Sequence, residues 1–401
     1  MAEQALADVR VLDLTQQVSG PYCTKLLADY GAEVIKIEPP GSGDAARRLG
    51  PFFQDEPHPE TSAVFLHYNT NKKSVTINLE SLTGRKILRE LVNTADVLVE
   101  NASPGTMERL GLTYEELRPH NPRLIYTSIS PYGQSGPYRD FTATDMTVFA
   151  MGGIMYRHGE PDREPIRYPG HVIQCLAGVN AAAATMCTLI AAKLSGEGAY
   201  IDIATMECLA GAVDRLLIRY AYNGVSAERE GHRREGYYPN GIYPCADGFV
   251  HVATLLSARG WVRLVRMLEM PELMTDPRFA TAAARRQHHG DFDAIFYPWV
   301  IEHTQEEIFR LGQAQRVMVG KVYTMDQVLN DPQYVYRKYF TEIDHPVVGK
   351  QTYPGAPFRM SETPAHLGRA PLLGEHTEEV LCGQLGYSRE DLVRLRARGV
   401  L

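Results

Sequence analysis

Short β-branched runs alternate with stretches of helical spacing from the start of the chain. Residues 9–14, Val-Arg-Val-Leu-Asp-Leu, read as a strand, residues 22–30 place apolar side chains at helical intervals, and residues 32–38, Ala-Glu-Val-Ile-Lys-Ile-Glu, read as a second strand. This is a βαβ opening. The alternation continues with a helix over 82–94, a strand over 96–100, a helix over 104–110 and a strand over 123–130. It predicts a parallel, nucleotide-binding type of sheet. An Ala-rich stretch over 178–194 has the spacing of a buried helix, and residues 201–206 read as the returning strand.

The pattern then breaks. Between residues 225 and 241 the sequence is polar and rich in Gly, Tyr and Pro, which marks a hinge. Residues 242–315 form a second, mainly helical unit that opens with a hairpin around Ala246-Asp-Gly248, and the chain is loop-rich after Val319. Residues 388–398 close the chain as a charged amphipathic helix with Ser388 as N-cap. The tyrosines of the run 237–243 are expected to pack the hinge rather than line a pocket, since Tyr is commonly part-buried. No internal repeat is visible.

Composition narrows the class. The chain has 401 residues, beyond the size at which one core usually stops growing, so two domains are expected. Hydrophobic residues make up 44% and charged residues 22%, and the sequence predicts no membrane span. Residues 1–10 lack the character of an export or organelle address, so a cytoplasmic location is expected. The net charge of −7, with no long basic run, argues against nucleic acid as a partner; the one local cluster, residues 228–235, mixes signs. Six scattered cysteines without a C-x-x-C pair fit free thiols better than a disulfide frame or a zinc site.

The generic motifs are weak or absent. Gly41-Ser-Gly43-Asp-Ala-Ala46 matches G-x-G-x-x-A, but Pro39-Pro40 separates it from the strand. There is no Walker A loop, H-E-x-x-H or G-x-S-x-G. Five segments in order carry more. They are Gln17-Val-Ser-Gly-Pro21 with residues 27–38 behind it, Asn71-Lys-Lys-Ser74, Glu100-Asn-Ala-Ser-Pro-Gly-Thr-Met-Glu-Arg-Leu-Gly111, Gly196-Glu-Gly-Ala-Tyr-Ile-Asp-Ile203, and Leu373-Gly-Glu-His-Thr-Glu-Glu-Val-Leu381.

Together these segments resemble the class III coenzyme A transferase family over nearly the whole chain. The second is similar to its N-K-R-S turn and the third to its E-N-F-R-P-G stretch, with Ala102 in place of the aromatic residue. The resemblance implies an α/β fold: a Rossmann-like large domain from both chain ends (1–224 and 319–401), a small α+β domain with flanking linker (225–318), and an interlocked, ring-like dimer. It implies acyl-CoA as substrate and no permanently bound cofactor or metal. Gln17, Val18, Arg47, Asn71, Lys72, Lys73, Asn101, Ala102 and Arg109 would contact CoA. Cationic side chains and helix-start N–H groups suit its phosphates, although Lys72 reads equally as a solvated surface charge and Lys73, at the family's basic position in the turn, less so. Ala102, and Pro39 where some relatives place Arg, weaken the expected adenine contacts.

Family members attack the thioester with an Asp carboxylate to form a mixed anhydride. The resemblance places that residue four positions before a Gly that opens a long apolar helix, and the register here reads Gln174-Cys-Leu-Ala-Gly178. A carboxamide cannot form an anhydride. Asp145, Glu160 and Asp162 are nearby carboxylates outside the matching position; Asp145 resembles a structural residue of the preceding helix, and Glu160 and Asp162 fit a polar loop. The His of racemase members would fall at Thr144. His171 beside the Pro-Gly turn reads as structural.

Some members pair an Asp-bearing subunit with a related subunit that lacks it. The resemblance thus implies a catalytically silent subunit of a heteromer that exchanges CoA between an acyl-CoA such as succinyl-CoA and an acid such as an aromatic succinate. Two alternatives stay open: an active homodimeric transferase, hydratase or lyase using another residue, and a CoA-binding scaffold or regulator.

Overall fold

The computed structural model describes residues 4–212, 216–232, 238–254 and 258–401. They divide into two compact units: Met1–Ile154, Arg167–Leu217 and Val335–Leu401 form the first, and Met155–Ile166 with Ile218–Tyr334 the second. Sequence composition places the corresponding boundaries at 225 and 318. The short excursion over Met155–Ile166 carries no compositional signal of its own.

The first unit is built on a six-stranded parallel sheet: β1 (Arg10–Asp13), β2 (Glu33–Glu38), β3 (Lys73–Thr76), β4 (Val97–Glu100), β5 (Ile125–Ser130) and β6 (Tyr200–Ala204), in the order β3-β2-β1-β4-β5-β6. Both faces are covered, so successive residues feed opposite cores. Leu12, Ile35 and Leu98 pack with Ile87, Leu88 and Leu91 of α2 (Leu82–Val92), whereas Val11, Val34, Val97 and Val99 pack with Leu27 of α1 (Ser19–Asp29). The two ends of the chain meet in the first of these cores, where Val380, Leu381, Leu392 and Leu395 join it. Ser388 does cap the last helix, Arg389–Ala397, by accepting from the Asp391 N–H at 3.1 Å.

Two details differ from the sequence reading. Lys73 and Ser74 are not turn residues but the start of β3, paired in parallel with β2. The long apolar helix α4 (Val172–Ser195), which follows α3 (Asp145–Met151), opens before Gly178 rather than at it. Gly178 serves a different purpose: a Cβ there would lie 2.6 Å from the Ser19 carbonyl oxygen and 3.2 Å from Tyr22 Cβ, so glycine lets α4 approach α1 closely. Gln174 consequently sits in the first turn of α4. By length and hydropathy alone α4 could cross a membrane, but Ala177, Ala181, Leu189 and Ala192 pack one face of it against the sheet core.

The second unit holds an antiparallel three-stranded sheet, β7 (Asn240–Cys245), β8 (Gly248–Ala253) and β9 (Met318–Lys321). Its core is aromatic, with Trp261, Phe279, Phe292 and Phe296 in edge or stacked contact and Tyr243 buried at 4.8 Å from Phe296. Tyr243 therefore packs; Tyr237 and residues 233–235 of the mixed charge cluster lie outside the described residues.

Candidate functional site

The strand order reverses direction between β1 and β4, and in such sheets ligands bind beyond the carboxyl ends of the strands at this point. Asp13 ends β1 and Glu100 ends β4. The loops that follow them are stitched together: the Gln16 N–H donates to Asn101 Oδ1 at 2.8 Å and Asn101 Nδ2 donates to the Gln16 carbonyl at 2.9 Å. Gln17 takes a left-handed backbone conformation (φ 66°), its N–H donating to Asp44 at 2.8 Å, and its side chain is exposed. Val18 is buried beneath it.

A cleft of about 400 Å³ opens here, wholly within the first unit. Gln17, Ser19 and Asn101 form one wall, Thr144, Asp145 and Gln174 the other. Thr144 caps α3 by accepting from the Thr147 N–H at 3.3 Å, which places Asp145 in the first helical turn. The first turn of α4 faces it. Gln174 Nε2 donates to Asp145 Oδ1 at 2.7 Å, and His171 Nδ1 lies 3.9 Å from Asp145 Oδ2. A carboxylate only accepts, so the amide must present its NH₂ end. Asp145 is one-third exposed and, among the described residues, is the single carboxylate on the cleft wall.

Burial pushes the neighbouring Cys175 thiol above its usual range, with a partial offset from Tyr68, whose hydroxyl lies 3.4 Å from Sγ. Of the sequence-derived residues, then, the fold brings Gln17, Asn101 and Gln174 together. Asp145, read from the sequence as a structural residue of the preceding helix, also lines this cleft. A hydrogen-bonding residue on α4 opposite a carboxylate at the start of α3 is visible only once both helix starts are fixed in space.

The cations expected to meet CoA phosphates are engaged in ion pairs within the chain. Arg47 is fully buried, bidentate to Glu38 at 2.7 and 2.9 Å, paired with Glu60 at 2.7 Å and stacked 3.6 Å over Phe65. Lys72 is buried and spends all three N–H donors on Asp13 Oδ2 (2.9 Å), the Pro21 carbonyl (2.9 Å) and Asn69 Oδ1 (2.8 Å). Burial pushes its ammonium down to about 8, with Asp13 opposing. Burial also resists ionisation of Asp13, but Lys36, Lys72 and two hydroxyls outweigh it and hold that carboxyl below its usual range. These groups are the ionic platform beneath the cleft and have no donor left for a phosphate.

Lys73 pairs with Glu33 (2.7 Å) and Glu379 (2.8 Å), and Arg109 pairs at the surface with Glu80 (2.7 Å). Asn71, at φ 63°, donates to Asp29 and to the His366 carbonyl, tying the returning chain end to the sheet. Ala102 donates its N–H to Glu100, whose carboxyl burial pushes up to about 7 against the opposing bonds from Ser128 and Ala102.

A family model described as CoA-transferase family III matches residues 6–377. Succinyl-CoA–D-citramalate CoA-transferase of Chloroflexus aurantiacus is 36% identical over 397 residues, covering 99% of this chain and 98% of the relative. The BbsE subunit of succinyl-CoA:(R)-benzylsuccinate CoA-transferase of Thauera aromatica is 33% identical over 407 residues, covering 98% of each. A CaiB/BaiF family protein from Brucella suis, solved by crystallography, superposes with a TM-score of 0.85 at 31% identity, covering 95% of this chain and 99% of that one. A six-stranded parallel sheet with this likeness over nearly the full length means that the chain belongs to CoA-transferase family III, the CaiB/BaiF family.

Proposed function

We propose that this chain is the non-nucleophilic subunit of a heteromeric class III CoA-transferase, working in the cytoplasm without a permanently bound cofactor. A related Asp-bearing subunit would exchange CoA between an acyl-CoA such as succinyl-CoA and a carboxylic acid, an aromatic succinate such as benzylsuccinate being the favoured class of acceptor. The carrying observation is Gln174: it stands on the cleft wall with its amide spent on Asp145, and a carboxamide forms no anhydride. One relative named as a subunit of a CoA-transferase supports the assembly. The test is native mass spectrometry of the complex from its source, with succinyl-CoA turnover assayed for each component and for both. A partner of similar mass and turnover only in its presence is the expected result; turnover by this chain alone overturns the reading.

Asp145 favours a second reading, an active chain that uses a displaced carboxylate. Its oxygen would attack the thioester carbonyl carbon, the C–S bond would break with CoA leaving as thiolate, and the thiolate would return to the Asp145 carbon, releasing the acid and leaving an enzyme thioester. Asp145→Asn separates the two. It abolishes turnover of the isolated chain under the second reading and leaves that of the heteromer's partner under the first.

A further inference from the structure

Among the described residues the buried lysines and arginines are Lys25, Lys36, Arg47, Lys72 and Arg285, and all but Arg285 pair with a carboxylate. Arg47 shows the usual arrangement: its guanidinium lies 3.6 Å over the Phe65 ring, and its Nε–Nη2 edge meets the two oxygens of Glu38 at 2.7 and 2.9 Å. Arg285, in the second unit, repeats the first half of it. It lies in the short helix Ala282–Gln287, is 5% exposed, and holds its guanidinium 4.7 Å over the Trp261 ring. Nη1 donates to the Phe279 carbonyl at 2.8 Å. Nε is closed off from water without a partner, and among the described residues nothing accepts from Nη2 either. Burial alone acts on this guanidinium, pushing it below its ordinary value, with no carboxylate in opposition.

A second unspent donor stands beside the first. Trp261, in the helix Ala258–Leu268, is 4% exposed, and its indole N–H is buried without a partner. Buried donors are almost always paired, and a buried cation without a counter-charge is among the costliest groups a core can hold. A guanidinium cannot escape that cost by losing its proton. Its Nε–Nη2 edge presents two parallel N–H bonds, the geometry that a carboxylate meets with both oxygens, as Glu38 does at Arg47. One cation beside one neutral donor offsets a single negative charge, and the Trp261, Phe279 and Phe292 rings, in mutual contact at 5.4–6.0 Å, suit a short apolar remainder rather than a polyanion. We propose that Arg285 and Trp261 form a binding site for a short-chain monocarboxylate, its oxygens on the Nε–Nη2 edge and the indole N–H as third donor. Neither residue lines the Gln174 cleft, so this site is separate from the reacting group, and it does not depend on whether Gln174 is silent.

Trp261 and Trp299 are the two tryptophans of the chain, so the full-length protein labelled with nitrogen-15 in tryptophan gives two indole N–H resonances, which Trp299→Phe assigns. Acetate and formate, titrated at pH 8 against chloride at constant ionic strength, are expected to move the Trp261 resonance saturably and to raise the melting temperature, as a ligand of the folded state does. Arg285→Lys keeps the charge and loses the fork, and is expected to weaken acetate about tenfold or more. Arg285→Met is expected to abolish the response. Trp261→Phe keeps the ring and drops the N–H, so acetate should still raise its melting temperature, but by less than in wild type. Circular dichroism verifies the fold of each variant, and the lysine variant keeps the test intact should the methionine variant not fold. A Trp261 resonance that acetate and formate leave in place, one that chloride moves as strongly, or a response that Arg285→Lys and Arg285→Met leave unchanged overturns the proposal.

Discussion

Restoring a carboxylate at position 174 tests the geometry of the cleft directly. Gln174 Nε2 lies 2.7 Å from Asp145 Oδ1, so Gln174→Asp, one methylene shorter, removes that donor and sets two carboxylates roughly 4 Å apart, a repulsion of about 4 kcal/mol at an effective dielectric of 20 and about 1 kcal/mol in water. Asp145 is one-third exposed, which puts the expected cost toward the lower end, about 1–2 kcal/mol, or roughly one unit on the pair's titration. The sign follows from linkage. A carboxyl pair that binds its proton more tightly when folded costs nothing below the unfolded carboxylate range, and the loss of stability grows as pH rises through the folded value. Urea denaturation of wild type, Gln174→Asp and Gln174→Asp/Asp145→Asn at pH 4 and pH 7 reads it out. The single variant should be weaker than wild type by about 1–2 kcal/mol at pH 7 but much less so at pH 4, and the double variant should recover most of the loss. A Gln174→Asp variant as stable as wild type at pH 7 would refute the facing arrangement.

Lys72→Met leaves Asp13 ionised in a buried site with one of its two lysines gone, and should cost about 3–5 kcal/mol in a chemical denaturation experiment, with Asp13→Asn in the same chain offsetting part of it. Glu100→Gln removes a buried carboxyl that burial raises to about 7; because the wild type loses stability as pH climbs from the unfolded carboxylate range through that value, the variant should overtake it by roughly 2–3 kcal/mol at pH 8 while matching it near pH 4, as followed by thermal melts across pH. Gly178→Ala drives a methyl to 2.6 Å from the Ser19 carbonyl and should destabilise by about 1–3 kcal/mol; an unchanged denaturation midpoint would mean that α4 and α1 are not in close contact.

The parallel sheet was legible because its strands are continuous apolar runs between helical periods. β3 was not, since Lys73-Ser-Val-Thr has one apolar residue and forms a strand only because β2 offers a paired edge. The start of α4 was misplaced because Gly178 resembles a helix boundary and Pro169-Gly170 delays the apolar pattern; the tertiary contact with Ser19 explains that glycine, and no local signal does. Gln174, Gln17 and Asn101 were legible through motif resemblance and do converge. Residue type said nothing about whether a cation is free: Lys72, inside the Asn71–Ser74 segment, and Arg47, outside the five segments, are both consumed by carboxylates more than a turn away in sequence, Asp13, Glu38 and Glu60. By the same token nothing around Arg285 in the sequence marks it as the buried cation without a carboxylate.

The central claim, that this chain does not carry the covalent intermediate, is tested most directly by peptide mass analysis after incubating the purified chain and its complex with succinyl-CoA and reducing any enzyme thioester with borohydride. The account predicts a reduced carboxyl on the Asp-bearing partner and none on this chain. A reduced Asp145, or any such mark on this chain, would contradict it.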